Sequence, residues 1–153
     1  MDVSMPYGDF ILNIDSKNPV VLISGGVGLT PMMSMLNSLV KQGAKRDIVF
    51  IHAVRGGDVH AMKDHLSQVI KDNPHVSKVV FYESVTENDM KEKNYDYIGR
   101  MDLDLIGNKI LLPNADYYLC GPLPFMGIQQ EKLESMGISK YKIHSEVFGA
   151  TIS

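Results

Sequence analysis

An apolar run that ends in clustered glycines constrains this chain more than any other feature. Residues 20 to 31 read VVLISGGVGLTP, with glycines at 25, 26 and 28. Val20 to Ile23 has the character of a buried strand. Thr30 suits a helix N-cap and Pro31 the first helical position, because a helix start leaves that N–H unbonded anyway. Apolar residues then fall at 32, 33, 36, 39 and 40, with Gly43 as a stop, so the spacing predicts a helix from Pro31 to about Lys41. A buried strand, a glycine turn and a helix begin a βαβ unit, and such units build parallel sheets.

The rest of the chain repeats that alternation. Ile48 to Ile51 reads as a second strand, ending at His52-Ala53. Ala61 to Lys71 places Met62, Leu66, Val69 and Ile70 on one helical side, and Asn73-Pro74 ends it. Lys78 to Tyr82 is a third strand. Residues 83 to 100 are polar and irregular, which predicts a long connection. Met101 to Ile106 reads as a short helix stopped by Gly107. Asp116 to Cys120 is a fourth strand, and Pro122-Leu123-Pro124 opens a helix from about Phe125 to Met136. Tyr141 to Phe148 is a fifth. The expected fold is therefore α/β: a Rossmann-like, doubly wound parallel sheet of about five strands with helices on both faces. Residues 1 to 15 stand outside the alternation. Their stretch MPYGDFIL reads as the last turn and strand of a preceding unit, with the main domain at 16–153.

Composition removes several classes of function. The 153 residues carry a formal net charge of −3, which leaves no basic footprint for nucleic acid. The single cysteine, Cys120, excludes an intrachain disulfide and fits a reducing compartment. No apolar stretch reaches bilayer length and the first residues lack a signal-peptide pattern, so the expectation is a cytoplasmic chain without membrane contact. The five histidines include no helical metal-ligand pair, since His60 and His65 are five apart. No metal site is expected. No Gly-x-Ser-x-Gly elbow marks a hydrolase.

What the glycines admit is the functional question. Free N–H groups and the positive end of the dipole make a helix N-terminus attractive to phosphate. Glycines ahead of it allow positive φ and remove Cβ atoms from a ligand's path. Gly26-Val27-Gly28 begins a Gly-x-Gly-x-x-Gly fingerprint, but Pro31 stands at the third glycine position, and no phosphate-loop lysine follows. The glycines can also serve only a tight turn. Their position at the tip of the first strand, where open α/β sheets bind ligands, favours a ligand. At the tip of the second strand the usual ribose-binding acid is absent and Arg55 stands nearby. Arg55 can stack on adenine or meet a 2′-phosphate, or it can be a solvated loop residue. Asp58 can cap the next helix. Cys120-Gly121-Pro122 brings backbone close to a ligand at the fourth strand tip, though a lone buried cysteine is commonly plain packing.

Taken in order, SGGVGLTPMMSML, HAVRGGDVHAM, YYLCGPLPFM and EVFG resemble the NAD(P)-binding domain of the ferredoxin–NADP reductase superfamily. HAVRGGDVHAM is similar to the C-terminal third of flavohaemoglobins, the nitric oxide dioxygenases, and PYGDF to the end of their flavin domain. The resemblance implies that Gly26, Val27, Gly28 and Thr30 hold a pyrophosphate, with Gly25 and Pro31 beside them. It implies Arg55 near the adenosine end, and Cys120, Gly121 and Pro122 along the nicotinamide side, with Phe125 also at the cofactor. Cys120 is then near the hydride-bearing carbon, while Glu146 and Phe148 face the flavin. The implied cofactor is NADH or NADPH, with FAD and haem held only by the parent protein. The implied partners are its flavin-binding domain, whose tail would be residues 1–15, and a globin domain. The flavin domain's Arg-x-Tyr-Ser type motif is absent, so the resemblance implies a hydride-donor half that is inactive alone. An oxygenase reductase or flavin reductase carries a similar domain, and a non-catalytic nucleotide-binding module is the reading from another class.

Overall fold

The computed structural model describes residues 2–4, 11–13, 18–26, 29–41, 46–55, 63–93 and 95–147. Strands β1 (Asp2–Ser4) and β2 (Ile11–Asn13) form an antiparallel pair of their own. The other strands are β3 (Val20–Gly25), β4 (Ile48–Val54), β5 (Val76–Tyr82), β6 (Tyr97–Ile98), β7 (Asp116–Gly121) and β8 (Ile143–Val147). They make one six-stranded sheet in the order β6-β5-β4-β3-β7-β8, parallel throughout. The chain walks outward from β3 to β6, then returns to the other side of β3 for β7 and β8. The reversal of strand order lies between β3 and β7, which is where an open sheet parts to admit a ligand.

Helices α1 (Leu29–Lys41), α2 (Lys63–Asp72), α3 (Glu87–Glu92), α4 (Gly107–Ile110) and α5 (Leu123–Ser135) accompany the sheet. Successive strand residues point to opposite faces, and both faces are buried, so the strands read as continuous apolar runs. On one face Leu22, Phe50, Tyr118 and Cys120 pack with Met32, Leu36 and Leu39 of α1 and Leu66 of α2. On the other, Ile23, Ile51, Phe81 and Leu119 pack with Leu103, Ile106, Ile110 and, from α5, Met126 and Leu133.

The sheet has six strands where about five were expected, because the segment 83–100 is not a plain connection. Thr86 Oγ1 accepts from the Asp89 N–H at 3.1 Å, and Asp89 Oδ2 accepts from the Thr86 N–H at 3.0 Å. This reciprocal capping box starts α3, with aspartate in the place usually held by glutamate or glutamine. The two-residue β6 is anchored by Asp96. Its N–H donates to the Val80 carbonyl at 2.8 Å, and its carboxylate accepts from the Val80 N–H at 2.8 Å. Gly99 N–H continues the edge onto the Tyr82 carbonyl at 2.7 Å. A strand this short carries no periodicity for a sequence to display.

Other boundaries shift by local chemistry. Gly107, expected to stop a helix, has a φ of −51° and opens α4, so the 3₁₀ turn Leu103–Ile106 runs on. α5 starts at Leu123, two residues early, with Pro122 at its N-cap and Pro124 in its first turn, where a missing N–H costs nothing. α1 opens at Leu29, so Thr30 and Pro31 lie in its first turn.

Val80 is fully buried, so its N–H has no access to water if Asp96 is lost. Asp96→Ala is expected to destabilise the chain by about 1–3 kcal/mol, while Asp96→Asn, which keeps an acceptor oxygen, retains most of the stability. Urea unfolding of the three proteins checks this.

Candidate functional site: a cleft at the switch point

The parallel register sets the strand tips level. Ser24 is opposite both His52 and Cys120, and Gly25 is opposite Ala53. Over the tips on the α5 face opens a cleft of about 550 Å³, a size suited to a small ligand. Strand tips supply Gly25, Gly26 and Ala53, and α5 with its N-cap supplies Pro122, Phe125 and Gln129. Arg55 and Glu83 stand at the ends of β4 and β5, and Arg100 and Met101 follow β6.

Two of the glycines make room for a side chain of the chain itself. A Cβ built on Gly25 would lie 2.7 Å from Cδ1 and Cε1 of Phe125. One built on Gly121 would lie 2.7 Å from Phe125 Cδ2 and 3.1 Å from the Gly25 carbonyl oxygen. The phenyl ring therefore straddles both strand tips, one edge over each. Gly26 serves the backbone instead: its φ is +53°, a left-handed conformation, and a Cβ there would meet nothing.

The charged end of the cleft is built by strand ties. Glu83 N–H donates to the Val54 carbonyl at 3.0 Å. Ser84 donates to the Arg55 carbonyl through its N–H at 3.0 Å and its Oγ at 3.4 Å. Arg55, Glu83 and Arg100 are exposed and line the same opening. Below Glu83, burial pushes the Tyr82 phenol up to about 12, helped by the negative charges of Asp89 and Glu92. Tyr82 is thus a neutral phenol at ordinary pH, and among the described residues that line the cleft formal charge comes from Arg55, Arg100 and Glu83.

The expected site residues divide between the two faces. Gly25, Gly26, Arg55, Pro122 and Phe125 meet at the cleft, and Gly121 lies under the Phe125 ring. Cys120 does not line the cleft; it is fully buried in the core on the α1 face. The register places Glu146 of β8 opposite Cys120. Thr30 and Pro31 are in the first turn of α1. Val27, Gly28, Asp58 and Phe148 lie outside the described residues.

Several residues at the site were not evident from the sequence. Ser24 Oγ and His52 Nδ1 are 2.7 Å apart and buried, a polar link between the tips of β3 and β4 on the α1 face. Glu83 and Arg100 come from the segment read as a connection. Gln129 is only 4% exposed, lines the cleft and has no side-chain hydrogen bond among the described residues. Its position four residues after Phe125, on the same helical side, was the available signal.

Residues 22–131 match the oxidoreductase NAD-binding domain family. The chain belongs to that family. Its matched span runs from β3 into α5 and so takes in every element that lines the cleft. Over 97% of its length this NAD-binding domain is 52% identical to a flavohemoprotein of Bordetella pertussis, and it spans 37% of that relative. It is 44% identical over its whole length to a flavohemoprotein of Bacillus thuringiensis, spanning 38% of it. Among solved structures it resembles the FAD/NAD-binding domain of nitric oxide dioxygenase from Vibrio cholerae, with a TM-score of 0.74 and 32% identity, covering 88% of this chain and 53% of that one. A flavohemoglobin from Malassezia yamatoensis gives a TM-score of 0.73 at 30% identity, covering 87% of this chain and 32% of that one.

If the switch-point glycines seat the ring, a side chain at 121 should be tolerated only when the ring is absent. Gly121→Ala is expected to cost about 1–3 kcal/mol through overpacking. In a double-mutant cycle with Phe125→Ala, the double variant should be at least about 1 kcal/mol more stable than the two single effects sum to. Additive effects in urea unfolding would show that the ring does not set the requirement.

Proposed function

We propose that this chain is the NAD(P)H-binding part of a flavohaemoprotein reductase. It takes NADH or NADPH, positions the nicotinamide for hydride donation to FAD on a neighbouring domain, and so feeds electrons to haem for nitric oxide dioxygenation. The observation that carries the reading is the cleft at the switch point, walled by the family's own matched segment. The share of the flavohemoprotein relatives that the chain spans, 37–38%, supports flavin and globin domains as partners in the parent.

The chain's own contribution is binding and orientation. The start of α1 offers free N–H groups and a positive dipole end to a pyrophosphate. Gly26, left-handed at the end of β3, turns the backbone there and adds no side chain of its own to the ligand path. Arg55 and Arg100 set positive charge over the adenosine end, where β4 terminates. Glu146 and Phe148 are proposed for the nicotinamide side together with the β7 tip, where Cys120 is level with Glu146 but is itself packed in the core on the α1 face. FAD supplies the conversion of a hydride into single electrons when bound to its own domain. Residues 1–15 are proposed as part of the flavin-binding unit, a division supported by β1 and β2 pairing with each other outside the six-stranded sheet. Among the described residues no helix is long and apolar enough to cross a membrane; the cytoplasmic setting is part of the proposal.

Calorimetric titration of the chain with NADH, NADPH and ADP-ribose tests the reading. Wild type is expected to bind all three, and Gly28→Val to bind each at least about tenfold more weakly, because a branched side chain then meets the pyrophosphate. NADH oxidation is expected only when a flavin-bearing partner is added. Turnover by the chain alone would contradict the proposed division of labour.

A further inference from the structure

The core on the α1 face changes character at the strand tips. Along β3 it reads Val20, Leu22 and then Ser24, and along β4 Ile48, Phe50 and then His52, all fully buried. The register sets Ser24 level with His52, and Ser24 Oγ stands 2.7 Å from His52 Nδ1. An apolar pair would fill this place without the dehydration that buried polar groups cost. What the polar pair adds is direction and length, because a satisfied buried hydrogen bond fixes the separation of the groups that make it. The bond sits one level below the last pairing of these strands, Gly25 with Ala53. Just above it, Gly26 turns the chain away from β3 at a φ of +53°, while β4 runs on to Val54. The two tips part immediately beyond the bond, and each carries a different piece of the cleft. Gly25 and Gly26 belong to the β3 tip, and Ala53, Val54 and Arg55 to the β4 tip.

We propose that Ser24 and His52 are positioning residues whose buried hydrogen bond sets the spacing between the β3 and β4 tips, so that one ligand engages both at once. Neither side chain lines the cleft, so both act through the backbone that does. This rests on the proposed binding of a dinucleotide. In dinucleotide folds the pyrophosphate lies at the helix after the first strand and the adenosine ribose over the second. The ADP half of such a ligand therefore bridges the two tips that the bond joins. A bridging ligand gains from tips already held at the right distance, because no ordering is left to be done on binding.

The experiment is a calorimetric titration of the whole chain with ADP-ribose, for wild type, Ser24→Ala, His52→Leu, the double variant and His52→Asn. Urea unfolding of each protein runs alongside, so that affinity is compared among folded chains. Ser24→Ala and His52→Leu are each expected to bind ADP-ribose about tenfold more weakly, the size of one lost buried hydrogen bond. The double variant should bind no more weakly than either single one, since the same bond is lost once. His52→Asn, whose amide can stand where the imidazole Nδ1 stands, should regain most of the affinity. If His52→Leu does not fold, Ser24→Ala against wild type decides alone. Variants that lose stability in urea yet bind ADP-ribose as wild type does would overturn the positioning role and leave the bond a packing feature. Additive losses in the double variant would overturn it too, because the two residues would then act separately. Failure of wild type to bind ADP-ribose would overturn the dinucleotide reading of the cleft and this inference with it, whereas binding by wild type with unaltered variants overturns this inference alone.

Discussion

Two glycines at adjacent strand tips set the terms for everything above them. β3 and β7 run parallel and level, and their last residues, Gly25 and Gly121, stand where the strand order reverses. With no Cβ on either, the Phe125 ring settles across both tips. That contact fixes where α5 begins, and the start of α5 fixes one side of the cleft. One wall of the cleft is therefore placed by two glycines that let an aromatic ring lie across adjacent strand tips.

The two faces of the sheet differ at these strand tips. The α1 face holds the buried polar link Ser24–His52 and the Cys120 thiol. The α5 face holds the open cleft, apolar near Phe125 and Met101 and charged near Arg55, Glu83 and Arg100. A dinucleotide has the same division, with a stacking base, a charged pyrophosphate and a polar ribose. A domain of this kind needs no reactive side chain in quantity, because the cofactors carry the redox chemistry and the protein supplies position and field.

The long elements were legible because their apolar periodicity is strong. Val20 to Ile23, Ile48 to Ile51 and the helix after Pro31 are each specified by their own residues and by burial on both faces. The glycines after Ile23 and the Cys-Gly-Pro stretch stand at the ends of β3 and β7, where Gly25, Gly26 and Pro122 line the cleft. What was not legible depended on contacts distant in sequence. β6 is held by one aspartate reaching Val80, sixteen residues away, and a two-residue strand shows no pattern. The purpose of Gly121 depends on Gly25, ninety-six residues earlier in the chain, and on a ring between them. Cys120 and Gly121 are adjacent in sequence, yet alternation sends them to opposite faces, so the motif named a strand tip without showing which residue meets the cleft. Gln129 is a polar residue inside α5, and its burial comes from the fold alone.

The central claim is that the strand tips around the switch point bind the nucleotide. Amide hydrogen exchange of the chain, with and without saturating NADH, tests this most directly. The account predicts slowed exchange at residues 24–26, at the start of α1, at 53–55 and at 121–125, with the sheet's opposite end unchanged. Protection confined to any other surface, or none at a concentration where calorimetry registers binding, would contradict it.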